Sequence, residues 1–231
     1  MHTHRLDLED ATLREWDATV LHVDPEQGIV LDRSAFYPGG GGQPPDRGVL
    51  LWGGVRTRIE GSRKGDDLYL VPAEEDPVPP AGTAVTGALD DVRRTALMRT
   101  HSAMHLLCGV VSRDYGVAVT GGSMDELSGR MDFGMESLPE GFLDAVQQAC
   151  LTEVATDRAI EVSEVPRAEA VVKTAVDLLP EGSRSCGSST SWAWTGRPTA
   201  APTSPRPASS ARCGCSRRRT RARASAGSAS P

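Results

Sequence analysis

Two histidines four residues apart, in the run His101-Ser102-Ala103-Met104-His105, are the side chains of this sequence best placed for chemistry. On a helix, positions i and i+4 share one face, with Cβ atoms about 5–6 Å apart. Two neutral imidazoles so placed can converge on one metal ion, at about 2.0–2.1 Å for zinc. A zinc that keeps a position open for water or substrate needs a third protein ligand. A metalloprotease helix puts Glu directly after the first His as general base; Ser102 stands there instead, so the protease reading fails. The spacing alone leaves two readings open, a ligand pair or two histidines met by chance in a packed helix. Leu97-Met98 and Leu106-Leu107 on either side make the helix fit for burial, and a buried imidazole pair without partners is costly. Of the remaining histidines, His2 and His4 are expected at a frayed terminus and His22 on a strand surface.

A second candidate is the run Gly39 to Gly42 followed by Gln43. It reads as a flexible hairpin loop, or as bare backbone that another chain or a nucleic acid can approach closely. No Lys-Ser/Thr follows and no helix opens there, so it is not a P-loop. Its surroundings are β, which excludes a dinucleotide fingerprint. Gly121-Gly122 reads as a turn. Arg93, Arg94, Arg99 and Arg130 could form a local phosphate patch, although Arg93 reads better as solvated charge balanced by Asp90 and Asp91.

The elements that must position these residues change period along the chain. Trp16–Val23 alternates, and short apolar runs recur at Ile29–Leu31, Val49–Trp52, Val55–Ile59, Leu68–Val71 and Ala84–Leu89, each bounded by Gly, Pro or Asp. Strands at that spacing predict a small barrel or sandwich. From Asp91 the spacing turns helical, with no Gly or Pro before Gly109. Strands are expected near 116–120, 130–133 and 160–165, and helices over 138–156 and 168–178. The expected fold class is α+β, a small N-terminal β-barrel followed by an α+β module.

Charge divides the chain at about residue 183. The 231 residues carry a net charge of −6, yet Ser183 to Pro231 holds nine Arg and no Lys, Asp or Glu. That tail carries +9, which leaves −15 for the first 182 residues. Its only large apolar side chains are Trp192 and Trp194, too few to offset the entropy of ordering its backbone, so it is expected to be disordered. No apolar run of 18 residues exists to span a membrane, and the first residues lack a signal-peptide core. Five scattered cysteines argue for a reducing compartment. The expectation is a cytoplasmic protein without a membrane partner. The acidic body also disfavours non-specific nucleic-acid binding.

Taken together, AFYPGGGGQPPDRG (35–48), RRTALMRTHSAMHLLCGVV (93–111) and VTGGSMDELSGRMDF (119–133) resemble the alanyl-tRNA editing proteins, free-standing relatives of the editing domain of alanyl-tRNA synthetase. The resemblance runs over roughly residues 5 to 182. It implies a β-barrel domain over 1–89, a zinc-binding editing module (the second additional domain) over 90–182, and an aberrant Arg/Ser/Ala/Pro-rich tail over 183–231. The activity implied is hydrolysis of the ester joining wrongly attached serine, or glycine, to the tRNA for alanine. The cofactor implied is Zn2+ and the partner aminoacylated tRNA. His101 and His105 fall on the first zinc-ligand pair. Gly40, Gly41, Gly42, Gln43, Arg99 and Ser102 fall on positions facing substrate or tRNA, Ser102 standing where these proteins usually carry Thr. No catalytic base is assigned.

The sequence departs from that pattern at its end. The family completes its zinc site with a downstream Gly-Gly-Thr-His segment, and no histidine follows His105 here. Read one base out of frame, Cys186 through Trp192 permits V-R-V-V-D-I-V, an apolar strand. Ser191 through Ser204 permits I-V-G-L-D-R-Q-A-D-G-G-T-H-V. A frameshift between about Ser183 and Cys186 accounts for both the composition change and the missing ligand. The chain as it stands is then expected to bind zinc weakly and edit poorly. The alternatives are a non-catalytic tRNA- or RNA-binding module of the same descent, and a different zinc hydrolase reusing the module.

Overall fold

The computed structural model describes residues 2–157 and the backbone of two further short strands, Ser163–Pro166 and Ser185–Ser189. In chain order the elements are β1 (His4–Arg5), α1 (Leu6–Glu9), β2 (Glu15–Asp24), β3 (Gly28–Leu31), β4 (Arg33–Ser34), β5 (Gly48–Trp52), β6 (Val55–Lys64), β7 (Leu68–Pro72) and β8 (Ala84–Leu89). After them come α2 (Asp91–Tyr115), β9 (Val119–Asp125), β10 (Ser128–Phe133), α3 (Phe142–Ala155), β11 (Ser163–Pro166) and β12 (Ser185–Ser189).

Alternation decides the barrel. Along β2, Trp16, Ala18 and Val20 are buried while their neighbours face out, and β6 and β8 repeat the pattern. Every second side chain therefore points to one face. Burying that face closes β2-β3-β7-β6-β5-β8 into an antiparallel barrel, with β8 returning to β2. Closure leaves no edge strand unpaired. Ile29, Leu31, Leu50, Ile59 and Leu70 fill the interior with essentially no exposure, each contributing about 1.5–3 kcal/mol. Trp16 meets Phe36 edge-to-face at 5.2 Å. Gly87, across from Trp16 in the β2–β8 register, makes room for the indole: a Cβ there would lie 2.5 Å from Trp16 Cζ2.

The chain divides into two compact units. One holds the described residues up to His105 together with Thr120–Asp132; the other holds Leu106–Val119 and the described residues from Phe133 onward. In the second, Val110, Val111, Phe142, Val146 and Cys150 form a small core, flanked by Leu106, Leu107 and Tyr115. Leu143, Leu151 and Val154 of α3 remain exposed. β11 pairs antiparallel with β12.

Several local expectations are corrected. The N-terminus is tied down: the Thr3 amide donates to Asp67 Oδ1 at 3.0 Å, its hydroxyl to the Leu31 carbonyl at 2.8 Å, and β1 pairs in parallel with β4. The strand expected near 116–120 begins only at Val119, after α2 ends at Tyr115, and runs on to Asp125. Gly121-Gly122 lies inside strand β9 rather than at a turn. Part of the tail expected to lack structure forms β12, whose backbone groups find partners on β11. The helix expected over 168–178, and the tail beyond residue 189, lie outside the described residues. No described helix is long and apolar enough to cross a membrane.

Candidate functional site

Helical phase brings His101 and His105 together. Their rings lie nearly parallel, with centroids 4.8 Å apart and an interplanar angle of 10°, and the two Nε2 atoms are 2.9 Å from each other. Both are half-buried. Burial lowers the pKa of His101, and burial followed by the charge of His101 brings His105 down to about 4. Both imidazoles are neutral at pH 7, the form that ligates a metal.

Gln43 sets the protons of this pair. Its Oε1 lies 2.5 Å from His101 Nδ1, and an amide oxygen only accepts, so Nδ1 carries the hydrogen. The neutral ring then leaves Nε2 of His101 as a bare lone pair. The contact between the two Nε2 atoms therefore needs His105 as donor. A cation bound by both rings would replace that proton, with His105 moving its hydrogen to Nδ1. The 2.9 Å separation is a few tenths short of the roughly 3.3 Å spanned by two ligands of a tetrahedral zinc. The donor set fits as half a site. Among the described residues no cluster of three or more His, Cys, Asp or Glu could hold a metal ion, whereas even an open zinc site needs three protein ligands.

The glycine-rich loop is built, not slack. Gly39, Gly40, Gly41 and Gly42 all have positive φ, a region that costs other residues about 1–2 kcal/mol. Gly40 and Gln43 exchange backbone hydrogen bonds at 3.0 Å, and Tyr37 Oη donates to the Gly40 carbonyl at 3.0 Å. Gly42 accepts from the Met124 amide of β9 at 3.0 Å, and a Cβ on Gly42 would stand 3.0 Å from the Gly122 carbonyl. The close approach that bare backbone permits at Gly42 is thus taken up by the chain's own β9. Gly41 faces open space.

Two arginines anchor the base of this loop. Arg94 is buried, its Nε and Nη2 at 2.9 and 2.6 Å from Asp46 Oδ2, with Nη2 also donating to the Ala35 carbonyl at 2.6 Å. The same Asp46 oxygen accepts the Tyr37 amide at 2.8 Å, and the Asp46 amide returns a bond to the Tyr37 carbonyl. Arg93 is buried too, paired with Glu126 and donating to the Pro45 carbonyl. Arg93 is therefore no solvated charge, and neither residue is available to a phosphate: both are consumed inside the fold. Arg130 pairs with Asp132 at 3.2 Å. Arg99 is exposed and without an ion pair among the described residues, and Ser102 is half-buried. His22 is exposed, as expected.

The sequence singles out His101, His105 and Gln43 but not the contacts among them, and it passes over Asp46, Tyr37 and Glu126, which the fold draws around the same loop. Asp46 sits in a Pro-Pro-Asp-Arg-Gly stretch whose turn chemistry explains it completely in one dimension. Its arginine partner lies 48 residues away.

The fold and site define a six-stranded antiparallel barrel followed by a long helix bearing a histidine pair held from a glycine-rich loop. No protein-family model matches the chain. In sequence it is related to alanine–tRNA ligases. That of Pyrobaculum neutrophilum is 34% identical over 183 residues, covering 78% of this chain and 20% of the relative. Those of Thermococcus kodakarensis (33% over 183 residues, 78% and 20%) and Thermofilum pendens (42% over 109 residues, 47% and 12%) are also similar. The chain spans a fifth or less of the length of these curated relatives.

Proposed function

We propose that the chain is an aminoacyl-tRNA editing hydrolase in design, acting on seryl- or glycyl-tRNA for alanine, and that its metal site is incomplete as it stands. The observation carrying this reading is the convergence of His101 and His105 at 2.9 Å with Gln43 fixing the His101 tautomer. The relation to alanine–tRNA ligases supports the substrate class. When bound in a complete site, zinc would supply Lewis-acid polarisation of the ester or of a water. The chain's own residues do the rest: Gln43 orients the ligand ring, and the loop 39–43 offers backbone donors beside it. A pocket that hydrogen-bonds the serine hydroxyl favours serine over alanine, because its polar groups would otherwise go unpaired.

Only two ligands stand among the described residues, and a frameshift at 183–186 would account for the rest. Sequencing the gene across these codons tests the frameshift; an unbroken frame encoding the tail as written sinks it. The purified chain should hold zinc substoichiometrically and deacylate seryl-tRNA for alanine slowly. A frame-restored version should bind one zinc and hydrolyse rapidly. If the restored protein does neither, the editing reading is wrong.

The incomplete donor set also favours a second reading, a non-catalytic RNA-binding module. RNA binding that persists without hydrolysis in both His101→Ala and His105→Ala, and in the frame-restored protein, would support it.

A further inference from the structure

Beside the tip of the glycine-rich loop stands a cation with no ion-pair partner among the described residues. Lys64, the last residue of β6, places its ammonium 3.2 Å from where a Cβ on Gly40 would lie. The side chain is exposed and has no ion pair or hydrogen bond among the described residues. Carboxylates close to it in the chain are engaged elsewhere. Asp66 accepts from Tyr69 Oη at 2.6 Å, and Asp67 accepts the Thr3 and Leu68 amides at 3.0 and 2.8 Å.

The loop adds donors. Gly40, Gly41 and Gly42 are exposed with φ of +123°, +60° and +86°. The Gly40 amide is spent on Gln43, but the Gly41 and Gly42 amides donate to nothing among the described residues. Successive bare N–H groups in a turn of this kind make a concavity suited to anions. In a body carrying −15, an ammonium beside exposed loop backbone is a local patch of positive charge. Gln43, which holds His101, closes the same loop.

We propose that Lys64, with the Gly41 and Gly42 amides, forms a phosphate subsite that seats a backbone phosphodiester of an RNA strand beside the His101–His105 pair. The proposal rests on the editing reading for its ligand, although the site itself is defined by Lys64 and the loop. Lysine acts here as a point charge, and the amides give it direction. The contact carries no base information, so it sets register on any sequence.

The test is fluorescence anisotropy with the full chain and a labelled single-stranded RNA ending in CCA, titrated over a range of salt. Lys64→Ala should weaken binding several-fold and reduce the slope of log K against log salt by about 0.7, the contribution of one phosphate contact on a single strand. Lys64→Arg should retain most of both. Arg33→Ala, an exposed cation paired with Asp32 on β4, should change neither. Equal affinity and slope in Lys64→Ala and wild type overturn the proposal, as does failure of the wild-type chain to bind this RNA. Saturable binding of inorganic phosphate by phosphorus NMR, without Lys64-dependent RNA binding, would assign the site to a free anion and overturn the RNA assignment. The two ideas separate cleanly. Lys64-dependent RNA binding with no deacylation, even in the frame-restored protein, leaves the subsite standing and the hydrolase reading lost. Deacylation that ignores Lys64→Ala does the reverse.

Discussion

Gln43 and His101 are 58 residues apart in the chain and 2.5 Å apart in space, the amide oxygen of one against Nδ1 of the other. One contact thereby joins the glycine-rich loop to the helix that carries both histidines. It also decides which nitrogen of His101 is free, because hydrogen bonding at one ring nitrogen fixes the tautomer. The ligand character of His101 is therefore a property of Gln43 as much as of the histidine.

Removing that acceptor should release the tautomer. In the metal-free protein at neutral pH, imidazole nitrogen shifts should report His101 as Nδ1–H and His105 as Nε2–H. Gln43→Ala should move His101 toward Nε2–H, the form that cannot ligate through that atom. Identical His101 shifts in the two proteins would refute the assignment.

The buried pair beneath the loop should matter more for stability than any surface charge. Arg94 and Asp46 have side chains 5% and 1% exposed, so removing one leaves the other desolvated and uncompensated. Asp46→Ala is expected to cost roughly 3–5 kcal/mol in urea unfolding, since a broken buried pair leaves a stranded charge. Arg94→Lys should also destabilise, because a lysine cannot reproduce the planar fork that reaches both Asp46 and the Ala35 carbonyl. A loss below about 1 kcal/mol for Asp46→Ala, the range of an exposed pair, would show that the pair is solvated in solution.

Acid should find Asp76. Side-chain hydrogen bonds from Arg58, then the Arg58 amide, bring its pKa from 3.8 down to about 2. A carboxylate depressed in the folded state binds fewer protons than in the unfolded chain, so stability falls as pH falls. The contribution is complete above about pH 3.8 and is lost as pH drops through about 2. Arg58→Ala should flatten stability across that window, measured by urea midpoints at successive pH. An unchanged acid limb in the variant would show that the pair does not hold the carboxylate.

The barrel was legible because its strands show themselves one at a time. Period-two burial over Glu15–Asp24 and Val55–Lys64 is a local pattern, and one buried face is enough to demand a partner. The histidine pair was legible for the same reason, since i and i+4 are fixed by helical geometry. What stayed hidden was non-local. Arg93 follows two acids at the start of a helix and reads as solvated charge, and Arg94 reads as part of a phosphate patch; the fold brings Pro45, Asp46 and Glu126 against them. Thr3 reads as a frayed end until Leu31 and Asp67 arrive beside it. Lys64 carries no motif, and only the path of β6 sets it against Gly40.

Four consecutive glycines are not equivalent, and alanine should distinguish them. Gly41 and Gly42 both hold positive φ, +60° and +86°. A Cβ on Gly41 meets nothing within 4 Å, so Gly41→Ala should cost only the left-handed backbone penalty of about 1–2 kcal/mol. At Gly42 the same penalty is joined by a collision 3.0 Å from the Gly122 carbonyl. That neighbour is backbone of a paired strand and cannot swing aside. Gly42→Ala should therefore unfold at lower urea than Gly41→Ala and should expose the Met124 amide, which Gly42 caps at 3.0 Å, to faster hydrogen exchange. Equal urea midpoints for the two variants, with Met124 protection intact, would mean that the loop and β9 are not in register in solution.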